Sequence, residues 1–307
     1  MKFRNIIFYL LIAVLLTSGC AENVPNEQNT STEDPGTIVI GTKLFQESYI
    51  AAHMVALLLE EQGYKTDVKE NLGGTLVNYE ALKKGDIQAY IEYTGTIYSQ
   101  ILKKPALENW DPAVVYKESE EGLLNNDSIV IASRLGFEDA YAIAVDEAWA
   151  EENGVTNISD LAPFAPEMVM GTDPEFATRE DGLPQIARVY GFSFESYRSM
   201  APGIMYEAMK NNEVDAISAY TTDTRNDLYG LRVLNDDKNA LPPYDAVVLV
   251  TEDFAQKNPK AMEALAQLND SIDQDTMRRL NGEYDIQGRA ARDIARDFLR
   301  NESLISA

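Results

Sequence analysis

From residue 37 onward the chain alternates between two hydrophobic periods. Thr37-Ile-Val-Ile-Gly41 is a short β-branched run closed by glycine, which predicts a strand and then a turn. Between Ser48 and Gln62 the apolar residues Ile50, Val55, Leu57 and Leu58 recur at helical spacing. Lys65 to Glu70 alternates as a strand, Leu72-Gly73-Gly74-Thr75 reads as a turn with a helix N-cap, and Leu76 to Lys84 as a helix stopped by Gly85. Ala89 to Tyr93 is the next strand. Further strands are expected near Ser128 to Ile131, Ala142 to Val145, Val169 to Gly171, Ala216 to Ala219 and Ala246 to Val250. The chain closes in helical sequence over Pro259 to Ile272, Asp275 to Glu283 and Ile286 to Arg300. This alternation predicts α/β layers with mixed or parallel sheets.

The N-terminus follows another rule. Lys2 and Arg4 precede an uncharged run from Ile6 to Leu16, which leads into Thr17-Ser18-Gly19-Cys20. That is the basic, apolar and small-residue order of a secretory signal over residues 1–20. The apolar run is well short of the roughly 20 residues a membrane-spanning helix needs. Cys20 is the one cysteine of the chain, and its setting resembles the lipobox of prokaryotic lipoproteins, with Thr17 where leucine is usual. The resemblance implies an exported protein, lipidated on Cys20 and held at the outer face of the cytoplasmic membrane or in the periplasm. Residues 21–36, rich in Asn, Glu, Thr and Pro, read as a flexible tether.

Composition narrows the function class. Of 307 residues, 45% are hydrophobic and 25% charged, enough for a large core and inconsistent with global disorder. The net charge of -24 repels phosphate backbones, which argues against a nucleic-acid partner. The acidity itself reads mainly as a solubility device. His53 is the single histidine and falls in an apolar helix, so a His-based triad or multi-His metal site is not expected. Neither G-x-G-x-x-G nor G-x-x-x-x-G-K-[ST] occurs, so no nucleotide cofactor is implied. Paired carboxylates of a hydrolase are always available among fifty acidic residues, and for that reason carry no specificity.

Tyrosine supplies the positive signal. Sixteen tyrosines outnumber ten phenylalanines, and several stand at strand ends or in loops beside small or polar residues. They include Glu92-Tyr93-Thr94-Gly95-Thr96, Asp139-Ala140-Tyr141, Ser218-Ala219-Tyr220-Thr221-Thr222-Asp223 and Pro242-Pro243-Tyr244-Asp245. Taken singly, each reads as an ordinary half-buried tyrosine.

Taken in order, Ile40-Gly41-Thr42-Lys43-Leu44-Phe45-Gln46-Glu47, Leu72-Gly73-Gly74-Thr75, Ala81-Leu82-Lys83-Lys84-Gly85-Asp86-Ile87 and Tyr93-Thr94-Gly95-Thr96 resemble the substrate-binding proteins of osmoprotectant ABC transporters. Those receptors carry glycine betaine, proline betaine, choline or carnitine. The resemblance spans Thr37 to Ala307 and implies a two-lobe, periplasmic-binding-protein-like α/β fold of type II with a hinged cleft. It places Tyr93, Tyr141, Tyr220 and Tyr244 in a box around a trimethylammonium head, with a main-chain carbonyl at Asp139. Lys43, Arg179 and Thr96 fall where the family holds the ligand carboxylate. The chemistry is consistent. A quaternary ammonium has no N–H to donate and is held by π faces and diffuse negative charge, while a buried carboxylate needs partners such as the fork of Arg179.

By the same resemblance lobe I comprises residues 37–137 and 240–307, and lobe II residues 138–239. The implied partners are a zwitterionic ligand and a membrane permease, with the receptor a monomer and no enzyme, metal or cofactor involved. Thr96, where choline-restricted members carry aspartate, permits a ligand carboxylate and favours glycine betaine or proline betaine. A choline, carnitine or amino-acid receptor on the same scaffold is the alternative, and an exported carboxylate-dependent hydrolase a distant one.

Overall fold

In the computed structural model the described residues run from Gly36 to Ser306. The expected signal with Cys20, and the tether as far as Pro35, lie outside them.

Strand β1 (Thr37–Gly41) shows why the architecture is layered. Ile38 and Ile40 are buried in one apolar cluster, while Val39 between them packs against another. A period of two on both faces marks a strand covered by helices on each side. β10 (Asp245–Thr251) repeats the pattern, with Ala246, Val248 and Val250 in the first cluster and Val247 and Leu249 in the second. The first cluster is completed by the helices Gln46–Glu61, Pro259–Leu265, Gln274–Asp285 and Ala291–Asn301, the second by Thr75–Lys84 and Pro112–Asp127.

With β2 (Lys65–Lys69), β3 (Ala89–Tyr93) and β4 (Ile129–Glu138), these strands form a sheet in the order β2-β1-β3-β10-β4. β1 runs parallel to β2 and β3, and β10 antiparallel to β3 and β4. A second sheet repeats the plan. Its strands are β5 (Tyr141–Asp146), β6 (Val169–Thr172), β7 (Ser196–Ser199), β8 (Ala216–Tyr220) and β9 (Leu231–Val233), in the order β7-β6-β8-β5-β9. Here β6 is parallel to β7 and β8, and β5 antiparallel to β8 and β9. Each sheet is thus the middle layer of its own lobe. The chain leaves the first sheet between Glu138 and Tyr141 and returns between Val233 and Asp245. These crossings are tied together where the Asp139 N–H donates to the Tyr244 carbonyl at 3.1 Å.

Several elements differ from the hydrophobic pattern. The strand expected at Ser128 to Ile131 extends to Glu138, because β10 pairs along it through two register shifts. The helix expected over Pro259 to Ile272 ends at Leu265; the N–H groups of Asp270 and Ile272 turn instead to the carbonyls of Arg134 and Leu135, at 2.8 and 3.0 Å. The last helix begins at Ala291 rather than Ile286, since residues 286–290 form a turn with Gly288 at a φ of 67°. The helix Pro112–Asp127 was not signalled by apolar spacing, although Asp111 caps it and Pro112 opens it.

Behind the crossing, Gly95 meets the returning chain at close quarters. A Cβ there would lie 2.6 Å from the Pro243 carbonyl oxygen and 2.8 Å from the Tyr244 ring. Gly95→Ala is therefore expected to destabilise the fold by about 1–3 kcal/mol through overpacking, read as a lowered urea midpoint with unchanged slope.

Candidate functional site

The carboxyl ends of the parallel strands face one another across the space between the sheets, the usual place for a ligand in open α/β sheets. Lys43 follows β1, Tyr93 ends β3, Asp173 follows β6 and Tyr220 ends β8. Tyr141 opens β5 directly after the first crossing, and Tyr244 closes the second. Thr96 lies in the helical turn Thr94–Thr96, which passes into a wider turn over Ile97–Ile101. A cavity of about 210 Å³ is lined by Lys43, Tyr93, Thr96, Asp139, Tyr141, Arg179, Tyr220 and Tyr244 together. These eight residues, spread over two hundred positions of sequence, meet in one place.

The rings form a connected wall. Tyr141 lies 5.3 Å from Tyr220 and meets Tyr244 edge-on at 5.6 Å between centroids. Phe45, to which its motif alone assigns no role, also lines the cavity; it stacks on Tyr220 at 6.0 Å and stands 6.2 Å from Tyr93. Three phenols of the wall donate to carboxylates, Tyr93 to Glu47 at 2.7 Å, Tyr244 to Asp181 at 3.2 Å and Tyr141 to Asp173 at 3.4 Å. Burial, reinforced by these acidic neighbours, pushes all four tyrosine hydroxyls well above their ordinary range, so the rings stay neutral. A phenol donating to an anion is polarised toward its ring, which strengthens the π face for a cation.

The two basic groups are buried and paired, each with a carboxylate other than its close neighbour in sequence. Lys43 is buried and its ammonium bonds Glu92, not Glu47; it also stands 5.1 Å from the Tyr93 ring centroid. Arg179 is buried and grips Asp181, not Glu180, through Nε at 2.9 Å and Nη2 at 2.5 Å. Its Nη2 also donates to Thr96 Oγ1 at 3.0 Å, joining the lobes. Nη1 lies 3.6 Å from Glu175, beyond hydrogen-bond range, and so keeps donors for another acceptor. The loop that presents Arg179 is wound tightly. Asp173 Oδ1 accepts from the N–H groups of Glu175 and Phe176 at 2.9 and 3.1 Å, and Gly182 packs so closely that a Cβ would lie 2.3 Å from the Phe176 carbonyl oxygen.

Acidic groups outnumber basic ones around this cavity. Burial raises Glu92 despite the pull of Lys43, and raises Asp173 despite two backbone donors. Glu175 is different. Burial alone would lift it, yet Lys43, Arg179 and the donors of Thr75 hold it below the ordinary range. Its carboxylate crosses the cleft to accept the Thr75 N–H at 2.6 Å and the Thr75 hydroxyl at 2.9 Å, at the start of the helix Thr75–Lys84. Gln100 reaches Asp181 in the same direction at 2.9 Å. His53 stays outside the cavity, with Nε2 at 2.9 Å from Glu70.

Residues 36–301 match the family model described as the substrate binding domain of ABC-type glycine betaine transport system. A glycine-betaine-binding protein of Pseudomonas aeruginosa is 34% identical over 280 residues, covering 88% of this chain and 89% of that one. The ergothioneine transport permease/ergothioneine binding protein of Helicobacter pylori is 29% identical over 278 residues, 90% of this chain; the chain spans about half, 49%, of that relative's length. A crystal structure of a glycine betaine/carnitine/choline ABC transporter protein superposes with a TM-score of 0.72 at 29% identity, covering 88% of this chain and 100% of that one.

The Lys43–Glu92 pair allows a direct check. Glu92→Gln leaves a buried ammonium against a neutral amide and is expected to cost about 3–5 kcal/mol of folding stability, measured by urea denaturation.

Proposed function

This chain belongs to the substrate-binding family of ABC-type glycine betaine transport systems, and we propose that its ligand is a quaternary ammonium zwitterion, glycine betaine or proline betaine before carnitine or choline. Members of the family are extracytoplasmic binding components of ABC importers, and this one works with a membrane permease. The observation that carries the ligand reading is the meeting of four tyrosines and Phe45 with Lys43, Arg179 and Thr96 around one cavity. The aromatic wall takes the methylated head, backed by Asp139 and its main-chain carbonyl. The carboxylate lies toward Lys43, Thr96 and the free donors of Arg179 Nη1. Three or four cation–π contacts of about 0.5–2 kcal/mol each, with a charge-assisted carboxylate clamp, are enough for micromolar capture.

Contacts from both lobes converge on the ligand, so capture favours the closed arrangement. Residues 37–137 with 240–307 move as one lobe and 138–239 as the other, about the crossings at Asp139 and Tyr244. Thr75 with Glu175 and Thr96 with Arg179 are the bonds that form on closure. Lipidation of Cys20 tethers the monomeric receptor to the outer face of the membrane through residues 21–36. The carboxylates Asp173 and Glu175 in the lining favour a second reading, a choline receptor that takes a cation without a carboxylate.

Calorimetric titration with glycine betaine, proline betaine, carnitine, choline and an amino acid separates these readings. Tight binding of the betaines over choline is the expected result, and binding of choline alone would discard the carboxylate clamp. Tyr141→Ala and Tyr220→Ala are each expected to weaken the betaines by about tenfold or more, since one lost cation–π contact in a dry site approaches 2 kcal/mol. Arg179→Ala is expected to weaken glycine betaine far more than choline; equal losses would show that Arg179 shapes the cleft without touching the carboxylate. Cys20→Ser is expected to move the protein from the membrane fraction to the soluble one.

A further inference from the structure

Among the described residues, two carboxylates beside the aromatic wall have no cation. Glu47, in the helix Gln46–Glu61, is 1% exposed, and Asp139, on the crossing between the sheets, is 7% exposed. Glu47 accepts from the Tyr93 hydroxyl at 2.7 Å and from the Asn281 amide at 3.0 Å. Asp139 accepts from the Thr222 hydroxyl at 2.8 Å and from the Thr222 backbone N–H. That same hydroxyl also faces Glu47, and a single O–H serves one carboxylate at a time. Every basic group nearby is engaged elsewhere: Lys43 with Glu92, Arg179 with Asp181, and Arg225 with Asp223 at 2.9 and 2.5 Å and with Asp285 at 3.4 Å. The remaining groups that face the pair are Asp223, a third carboxylate, and the neutral phenols of Tyr93, Tyr206 and Tyr220.

Two buried carboxylates that contend for one hydroxyl without a counter-charge beside them favour holding a proton over ionising together. We propose that Glu47 and Asp139 keep one proton between them in the empty site and release it to solvent when the quaternary ammonium head enters, so that ligand capture is linked to pH. This rests on the ligand class proposed above. Burial raises both groups, Asp139 more strongly; the charge of Glu47 adds to it at Asp139, and that of Asp223 at both. The entering cation supplies the missing positive charge and favours the ionised pair. The sign follows: the empty site is protonated at low pH, so affinity weakens as pH falls through the titration of the pair and levels off above it. For one proton the slope is at most tenfold in Kd per pH unit.

The test uses the purified protein and two independent readouts. Calorimetric titration with glycine betaine and with choline between about pH 5 and pH 8, in buffers of different ionisation enthalpy, counts protons released on binding. Carbon-13 carboxyl NMR of the ligand-free protein follows the pair directly, with Glu47→Gln and Asp139→Asn as separate variants to assign it. The expected result is a carboxyl titrating above the ordinary carboxylate range that is lost or lowered in either variant, and up to one proton released per ligand at the acid end for both ligands. If every carboxyl of the free protein titrates normally, the shared proton is overturned whatever the ligand. Tight binding with a flat pH profile and no proton release overturns the linkage while leaving the ligand class intact. Failure of every quaternary ammonium to bind overturns the ligand class instead, and the NMR titration still decides the shared proton.

Discussion

Ionised groups out of water must find partners, and that requirement organises the space between the two sheets. A buried charge costs several kcal/mol unless it is matched and fully hydrogen-bonded. Lys43 and Glu92 satisfy each other within one lobe, Arg179 and Asp181 within the other, and Arg225 and Asp223 a little further along the cleft. Once each cation is matched at home, what remains over the cavity is an excess of carboxylate that only something entering from outside can balance. The pairing that stabilises the fold and the acidic lining of the cavity are in this sense two consequences of one charge distribution.

The sheets make this distribution possible. In both lobes a parallel triplet ends at the cavity, so each strand delivers a side chain or a loop to the same plane from a rigid backbone. The antiparallel strand of each sheet, β5 or β10, enters from the other lobe and carries a tyrosine at its first turn of chain, Tyr141 or Tyr244. The aromatic wall is thereby built at the crossings themselves. A relative rotation of the lobes would change the wall and the Thr96–Arg179 bond together, since the two residues sit on opposite sides of the same gap.

The acidic backing also explains why the wall is made of tyrosine rather than phenylalanine at most positions. Hydroxyls of Tyr93, Tyr141 and Tyr244 each add a donor to a carboxylate that already accepts from other groups, while the ring faces remain free for the cavity. Phe45 has no such duty and serves through its face alone, stacked on Tyr220. Each phenol thus has two jobs, one on each side of the ring.

Much of the fold was legible in the residues themselves. Periods of two and of 3.6 placed β1, β2, β3 and β10 and the helices after Phe45 and Gly74, because local burial patterns repeat within a few residues. The ordered motifs from Ile40 to Thr96 brought in the family, and with it the eight residues that the structure gathers around one cavity. The edge strands Ser196–Ser199 and Leu231–Val233 were not legible, being short and held by pairing rather than by apolar alternation. Nor was the partner of any charge. Glu47 and Glu180 lie close to Lys43 and Arg179 in sequence, whereas the folded chain pairs these cations with Glu92 and Asp181. Glu175 reaching Thr75 across a hundred positions, and Glu47 and Asp139 meeting at Thr222, exist only once both sheets are in place. The sequence by itself determined which residues form the elements and which chemistry is on hand, since these depend on local period and side-chain type. Only the tertiary structure decided which charge meets which, because electrostatic pairing acts through space and takes no account of separation along the chain.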